Sequence, residues 1–200
     1  MTTLAAPRPL VSPPLALRAW FALALALALA GAIPRVGPPL AILGIAGGVG
    51  LGLLAHARSP GLRAWTQALP LRGLIFYQAL RAPIGAAFLV LAADGRLPRE
   101  FADLAGWGDL AAGLGALAAL ACIPARTPLR RRLVLLWNGL ALLDILLVVA
   151  TAQWLILGLG RRDMFAAFAL PGMALLPLFV VPTVILAHLA VFARLRDVRS

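Results

Sequence analysis

Three charged residues stand inside long apolar runs of this chain: Arg81, Asp109 and Asp144. A charge near the centre of a bilayer costs at least about 2.5–3.5 kcal/mol even on the lenient insertion scale, so such groups need partners. An arginine and two carboxylates have two uses. They can close on one another as ion pairs that fix helix register, or they can clamp a small anionic or polar ligand while the carboxylates take up protons. Gln78, one turn before Arg81, and Trp107, beside Asp109, complete the candidate ligand-binding set. A second group, Asp144, Asn138 and His188, reads as a candidate proton relay. His56 and His188 support an alternative, two axial imidazoles for a haem b. No other cofactor is expected.

Several chemistries find no residues. The serines are Ser12, Ser59 and Ser200, all outside the apolar runs, which excludes an intramembrane serine protease. Cys122 is the sole cysteine, so there is no intrachain disulfide and no CxxC motif. It also falls at the end of a span expected to face inward, the wrong side for a thiol protease acting on exported substrates. P-loop, HExxH and GxGxxG motifs are absent. The expectation is a binding or transport protein, or an accessory subunit with a membrane-complex partner, and not an enzyme; no catalytic residue is assigned.

The elements that must position these groups follow from composition. A chain of 200 residues that is 62% hydrophobic and 12% charged, with a mean hydropathy of +0.97, cannot expose its apolar surface to water. The fold class is therefore an all-α, polytopic transmembrane bundle in the lipid bilayer. Eighteen cations against seven acids would also suit nucleic acid. They stand singly or in short clusters between the apolar runs, which is the pattern of flanking charge, so no nucleic-acid partner is expected. All eighteen are arginine, which reads as biased composition.

Residues 1–14, with four prolines, read as a disordered or extended leader. One six-helix domain follows over 15–195, and 196–200 is a cytoplasmic tail. The spans fall at about 15–33, 40–56, 71–93, 104–123, 133–157 and 172–193. The glycine-rich second span reads as packed, not lipid-facing. Residues 94–103 form a polar connector, with Pro98 and Glu100 suited to the start of a helix. Residues 164–170 read as a re-entrant or interfacial segment.

Six spans put both termini on one side. Twelve arginines fall in the leader, the even loops and the tail, against five diluted by four acids on the other side, which places both termini in the cytoplasm. Arg81 is then ten residues from the inner end of its span and Asp144 eleven from the inner end of its own, so the two share a level. Gln78, Arg81 and Gly85 form one stripe, with Phe76, Leu80 and Leu91 expected opposite. Asp109, Ala112, Gly113 and Ala116 form a second, close-packing stripe. Pro83 frees the Ala79 carbonyl as an acceptor near Arg81.

The stretch Gly95-Arg96-Leu97-Pro98-Arg99-Glu100-Phe101-Ala102, followed by a Gly106-Trp107-Gly108-Asp109 turn, resembles a group of small multi-spanning bacterial membrane proteins of unknown function. The likeness continues weakly through Asn138, Asp144, Pro182 and His188. It implies the topology and an inner-membrane location, and it implies no substrate.

Overall fold

A computed structural model describes residues 13–196, and these residues are helical with no strand among them. The expected leader, except its last two residues, and the tail beyond Arg196 lie outside the described residues. Eight helices follow in order. They are α1 (Leu15–Leu29), the short α2 (Ala32–Val36), α3 (Pro38–Arg58) and α4 (Pro60–Ala68), then α5 (Leu71–Ala93), α6 (Arg99–Leu120), α7 (Pro128–Gly158) and α8 (Pro171–Arg196). Four of them, α3, α5, α7 and α8, are long and apolar enough to cross a membrane. Helix α1, at 15 residues, is shorter, and the first turns of α6 are polar.

Helix ends follow local chemistry. Pro60 and Pro128 occupy first turns, where a missing N–H costs nothing. Ser59 and Thr127 precede them and accept from the Leu62 and Arg130 amides at 3.2 and 3.3 Å. Inside α8, Pro182 cannot donate to the Leu178 carbonyl one turn back, and the helix widens into a π turn over Leu176–Val180. The Trp20 indole of α1 donates to that freed carbonyl at 3.0 Å, so a proline defect in one helix docks another.

Helix α6 is central, packed between α5 and α7, and α8 closes the bundle against α3, α5 and α7. Three corrections follow from this packing. Gly106 to Asp109 is not a turn: α6 runs unbroken from Arg99, so the 94–103 connector already contains its first turn. Glycine there serves close approach, because a Cβ on Gly85 would meet the Gly106 carbonyl at 2.4 Å and one on Gly113 would meet the Ala82 amide nitrogen at 2.4 Å. Helix α3 is packed on one side only. Its Gly44, Gly48 and Gly52 lie against Pro177, Pro182 and Leu186 of α8, while Gly47 and Gly50 have nothing within 4 Å and Leu43 and Leu51 face outward. Leu91 is buried with Phe88 and Phe101, although Phe76 and Leu80 of the same helix face outward as expected. Arg81 and Leu91 both lie in the regular helix after the 3₁₀ turn over Gln78–Leu80, and ten residues of α-helix put Leu91 only about 80° from Arg81, on the flank of the buried face.

Segment 162–170 is made of two 3₁₀ turns that bury Met164 and Ala167 against the outer part of the bundle.

Candidate functional site

The cluster expected from depth alone forms. Arg81 is 1% exposed and Asp109 3%, and the arginine reaches both carboxylates. Its Nε donates to Asp109 Oδ1 at 2.6 Å, and one Nη donates to Asp144 Oδ2. The other Nη donates to the Ala141 carbonyl at 2.7 Å. That bond corrects the expectation for Ala79: the acceptor comes from α7, across the helix interface. Three helices thus meet on one guanidinium whose planar fork is engaged on three sides.

Gly108 makes the Asp144 bond geometrically possible, since a Cβ there would sit 2.0 Å from Asp144 Oδ1. Asp144 is also the open member of the cluster. Its side chain is 23% exposed, against 2% for Arg81 and 4% for Asp109. It occupies the seam between α6 and α7.

The charges do not balance. One cation faces two carboxylates, so with all three ionised the buried cluster carries an excess negative charge. Three of the five N–H groups of the fork are bonded, and an anion would add negative charge to a cluster that already has one carboxylate in excess. A proton, or a group that donates hydrogen bonds, relieves the excess instead.

Arg81 and Asp109 also border a cavity of about 80 Å³. The space suits one very small molecule, and its lining gives water few polar partners. Its walls are apolar: Phe88 and Phe101, edge to face at 5.5 Å between ring centres, with Phe168, Met164 and Met173 at the outer end. Arg161, just before segment 162–170, bridges Asp163, at 2.7 Å, and Glu100. Its hydrogen bonds hold the Asp163 carboxyl below the usual carboxylate range, and the two acids raise the Arg161 guanidinium in turn. The clasp ties segment 162–170 to the first turn of α6.

One helical turn toward the other end lies a second polar layer. Gln78, 0% exposed, donates from Nε2 to the Val184 carbonyl at 3.3 Å. Asn138 and His188, also 0% exposed, make a reciprocal pair. The Asn138 amide donates to the His188 carbonyl at 3.1 Å, and its Oδ1 stands 2.8 Å from His188 Nδ1. Since that oxygen can only accept, His188 carries its proton on Nδ1, and Nε2 is left with a lone pair. Neither His188 Nε2 nor Gln78 Oε1 has a protein partner. Helical side chains lean back toward the preceding turn, so the His188 ring lies over the Val184 turn to which Gln78 is bonded. Two buried acceptors in this layer therefore stand without a protein donor. Asp144 is not hydrogen-bonded to this pair.

Other sequence candidates are not brought in. Trp107 is 64% exposed, because two residues from Asp109 is a rotation of about 200° to the far side of α6. His56 and His188 look in different directions. Leu186 packs on Gly52 of α3, and His188, two residues further, turns the opposite way toward Asn138 and Trp137. His56 Nδ1 pairs instead with Thr66 Oγ1 at 3.3 Å.

The polar bridge Tyr77 Oη to Thr183 Oγ1, 2.6 Å, had not been anticipated. Its signal was available, since the chain's one tyrosine falls on the next position before Gln78 and Thr183 interrupts an apolar run.

The sequence model of one protein family matches residues 38–196. The chain belongs to the family described as Domain of unknown function (DUF8737). The matched stretch holds every residue of the Arg81 cluster, the Asn138–His188 pair and the cavity wall, and it begins at α3. No curated protein and no solved structure matches the chain. What a DUF8737 domain does must therefore be argued from its site.

Proposed function

We propose that this DUF8737 protein binds or transports a small ion or polar molecule across a bacterial inner membrane, with proton uptake at the Arg81–Asp109–Asp144 cluster, and that it is not an enzyme. Six helices cross the bilayer with both termini cytoplasmic, α1 and α6 joining the four long apolar ones. The arginine asymmetry supports that orientation, and the cavity then faces the periplasm beneath segment 162–170. The observation that carries the reading is the charge count: two carboxylates on one buried arginine, beside a cavity, with Asp144 reaching the seam. The odd carboxylate is a place for a proton or a donor ligand, and it is this excess that favours the binding reading over a clamp that only fixes register. The lone pair of His188 Nε2 supplies a second acceptor one turn further along. The role of an accessory subunit in a membrane complex fits the same residues, with Asp144 at the contact.

Proteoliposomes loaded with a pH-sensitive dye test this. An imposed pH gradient collapses faster with the wild-type protein than with empty vesicles, and Asp144→Asn abolishes the difference while remaining folded. In parallel, methylammonium raises the thermal midpoint of the detergent-solubilised protein and acetate does not. If the wild type conducts no protons and neither probe shifts it, the cluster is a structural clamp.

A further inference from the structure

At the end of the bundle away from Glu100 and Arg161, α7 and α8 leave a groove of about 360 Å³ between them. Four side chains line it: Arg131, Leu135, Phe192 and Arg196. Their order is informative. Leu135 follows Arg131 by four residues on α7 and Phe192 precedes Arg196 by four on α8, so each arginine has an apolar neighbour one turn, about 6 Å, further into the bundle. The groove therefore has a cationic layer at the helix ends and a hydrocarbon layer beneath it.

Nothing on the described chain neutralises the upper layer. The Arg131 Nε is buried without a hydrogen-bond partner. Neither arginine takes part in an ion pair among the described residues. Asp94, Glu100, Asp103 and Asp163 lie at the opposite end, and Asp109 and Asp144 are held by Arg81. Two like charges across a groove repel, and an unmet buried donor is costly, so the site calls for an anion rich in acceptors. The N-terminal turn of α7, which carries Arg131, adds its positive end. A phosphate satisfies this layer, through the two guanidinium groups. Only a phosphate attached to an acyl chain also covers Leu135 and Phe192.

We infer that this groove binds one anionic phospholipid of the surrounding bilayer, its phosphate between Arg131 and Arg196 and an acyl chain along Leu135 and Phe192. The inference rests on the helices crossing a bilayer and is independent of what the Arg81 cluster does.

Native mass spectrometry of the delipidated full chain in detergent tests it, with dioleoyl phosphatidylglycerol, dioleoyl phosphatidylcholine and inorganic phosphate as probes. One phosphatidylglycerol is retained at least about tenfold better than phosphatidylcholine. Arg196→Gln, at an exposed helix end, and Arg131→Gln each remove that preference, while Arg126→Gln, exposed and outside the groove, keeps it. Phe192→Ala weakens lipid retention several-fold. Equal retention of the two lipids, equal loss in Arg126→Gln, or inorganic phosphate binding as tightly as the lipid would each overturn the site. If Arg131→Gln fails to fold, Arg196→Gln alone carries the comparison.

Discussion

Replacing Arg81 and Asp144, singly and together, separates charge imbalance from simple loss of contacts. Arg81→Gln removes three hydrogen bonds and leaves the buried Asp109 and the half-buried Asp144 without their cation. Breaking a buried pair from one side costs about 3–5 kcal/mol, mostly as the penalty on the charges left behind. For a chain of this size each kcal/mol moves the midpoint by about 2–4 °C, so a fall of roughly 6–20 °C is expected. Asp144→Asn keeps an oxygen to accept from Arg81 and leaves one cation facing one carboxylate. Its cost is the difference between a hydrogen bond to a charged and to a neutral acceptor, about 1 kcal/mol or 2–4 °C. Because the second change removes one of the orphaned charges, Arg81→Gln/Asp144→Asn should be more stable than Arg81→Gln alone, a coupling within the 0.5–3 kcal/mol range typical of contacting residues, roughly. Thermal unfolding of the detergent-solubilised protein, followed by tryptophan fluorescence, reads all four states. Additive losses, or an Asp144→Asn fall as deep as that of Arg81→Gln, would refute the charge argument.

Gly108→Ala, whose Cβ would lie 2.0 Å from Asp144 Oδ1, should cost about 1–3 kcal/mol by overpacking, whereas Gly50→Ala, with nothing within 4 Å, should be neutral or stabilising in the same melt. Asn138→Leu strands the His188 Nδ1–H and should cost about 1–3 kcal/mol in thermal unfolding; an unchanged midpoint would show that the pair is dispensable. Trp107→Ala should alter neither proton flux nor methylammonium response, because its ring points away from the cluster. The Arg161–Asp163 clasp has a pH signature. Because the Asp163 pKa is lowered in the fold, its contribution is fully present above the ordinary carboxylate range and is lost as pH falls through the lowered value. Hydrogen exchange in segment 162–170 should therefore be flat from pH 8 to pH 5, after correction for intrinsic rates, and should rise only in stronger acid.

The sequence by itself determined that the chain is helical and apolar enough for a membrane, and that Arg81 and Asp144 stand at one depth. Hydrophobic run length and a fixed rise per residue suffice for those two statements. The small-residue stripes of α5 and α6 were legible for the same reason, since helical periodicity places Gly85, Asp109 and Gly113 on faces that must meet something. Depth, however, is one coordinate of three. Rotation decided that Trp107 points outward and that His56 and His188 never face each other, and rotation follows from packing against neighbours. The 3₁₀ turn before Arg81 and the π turn before Pro182 shift helix phase by fractions of a turn, which no regular periodicity anticipates. The close approach of Gly108 to Asp144, the choice of the Ala141 carbonyl and the engaged fork of Arg81 all arise between helices distant in sequence. The one-to-two count of arginine and carboxylates was in the sequence; tertiary structure brought all three onto one guanidinium.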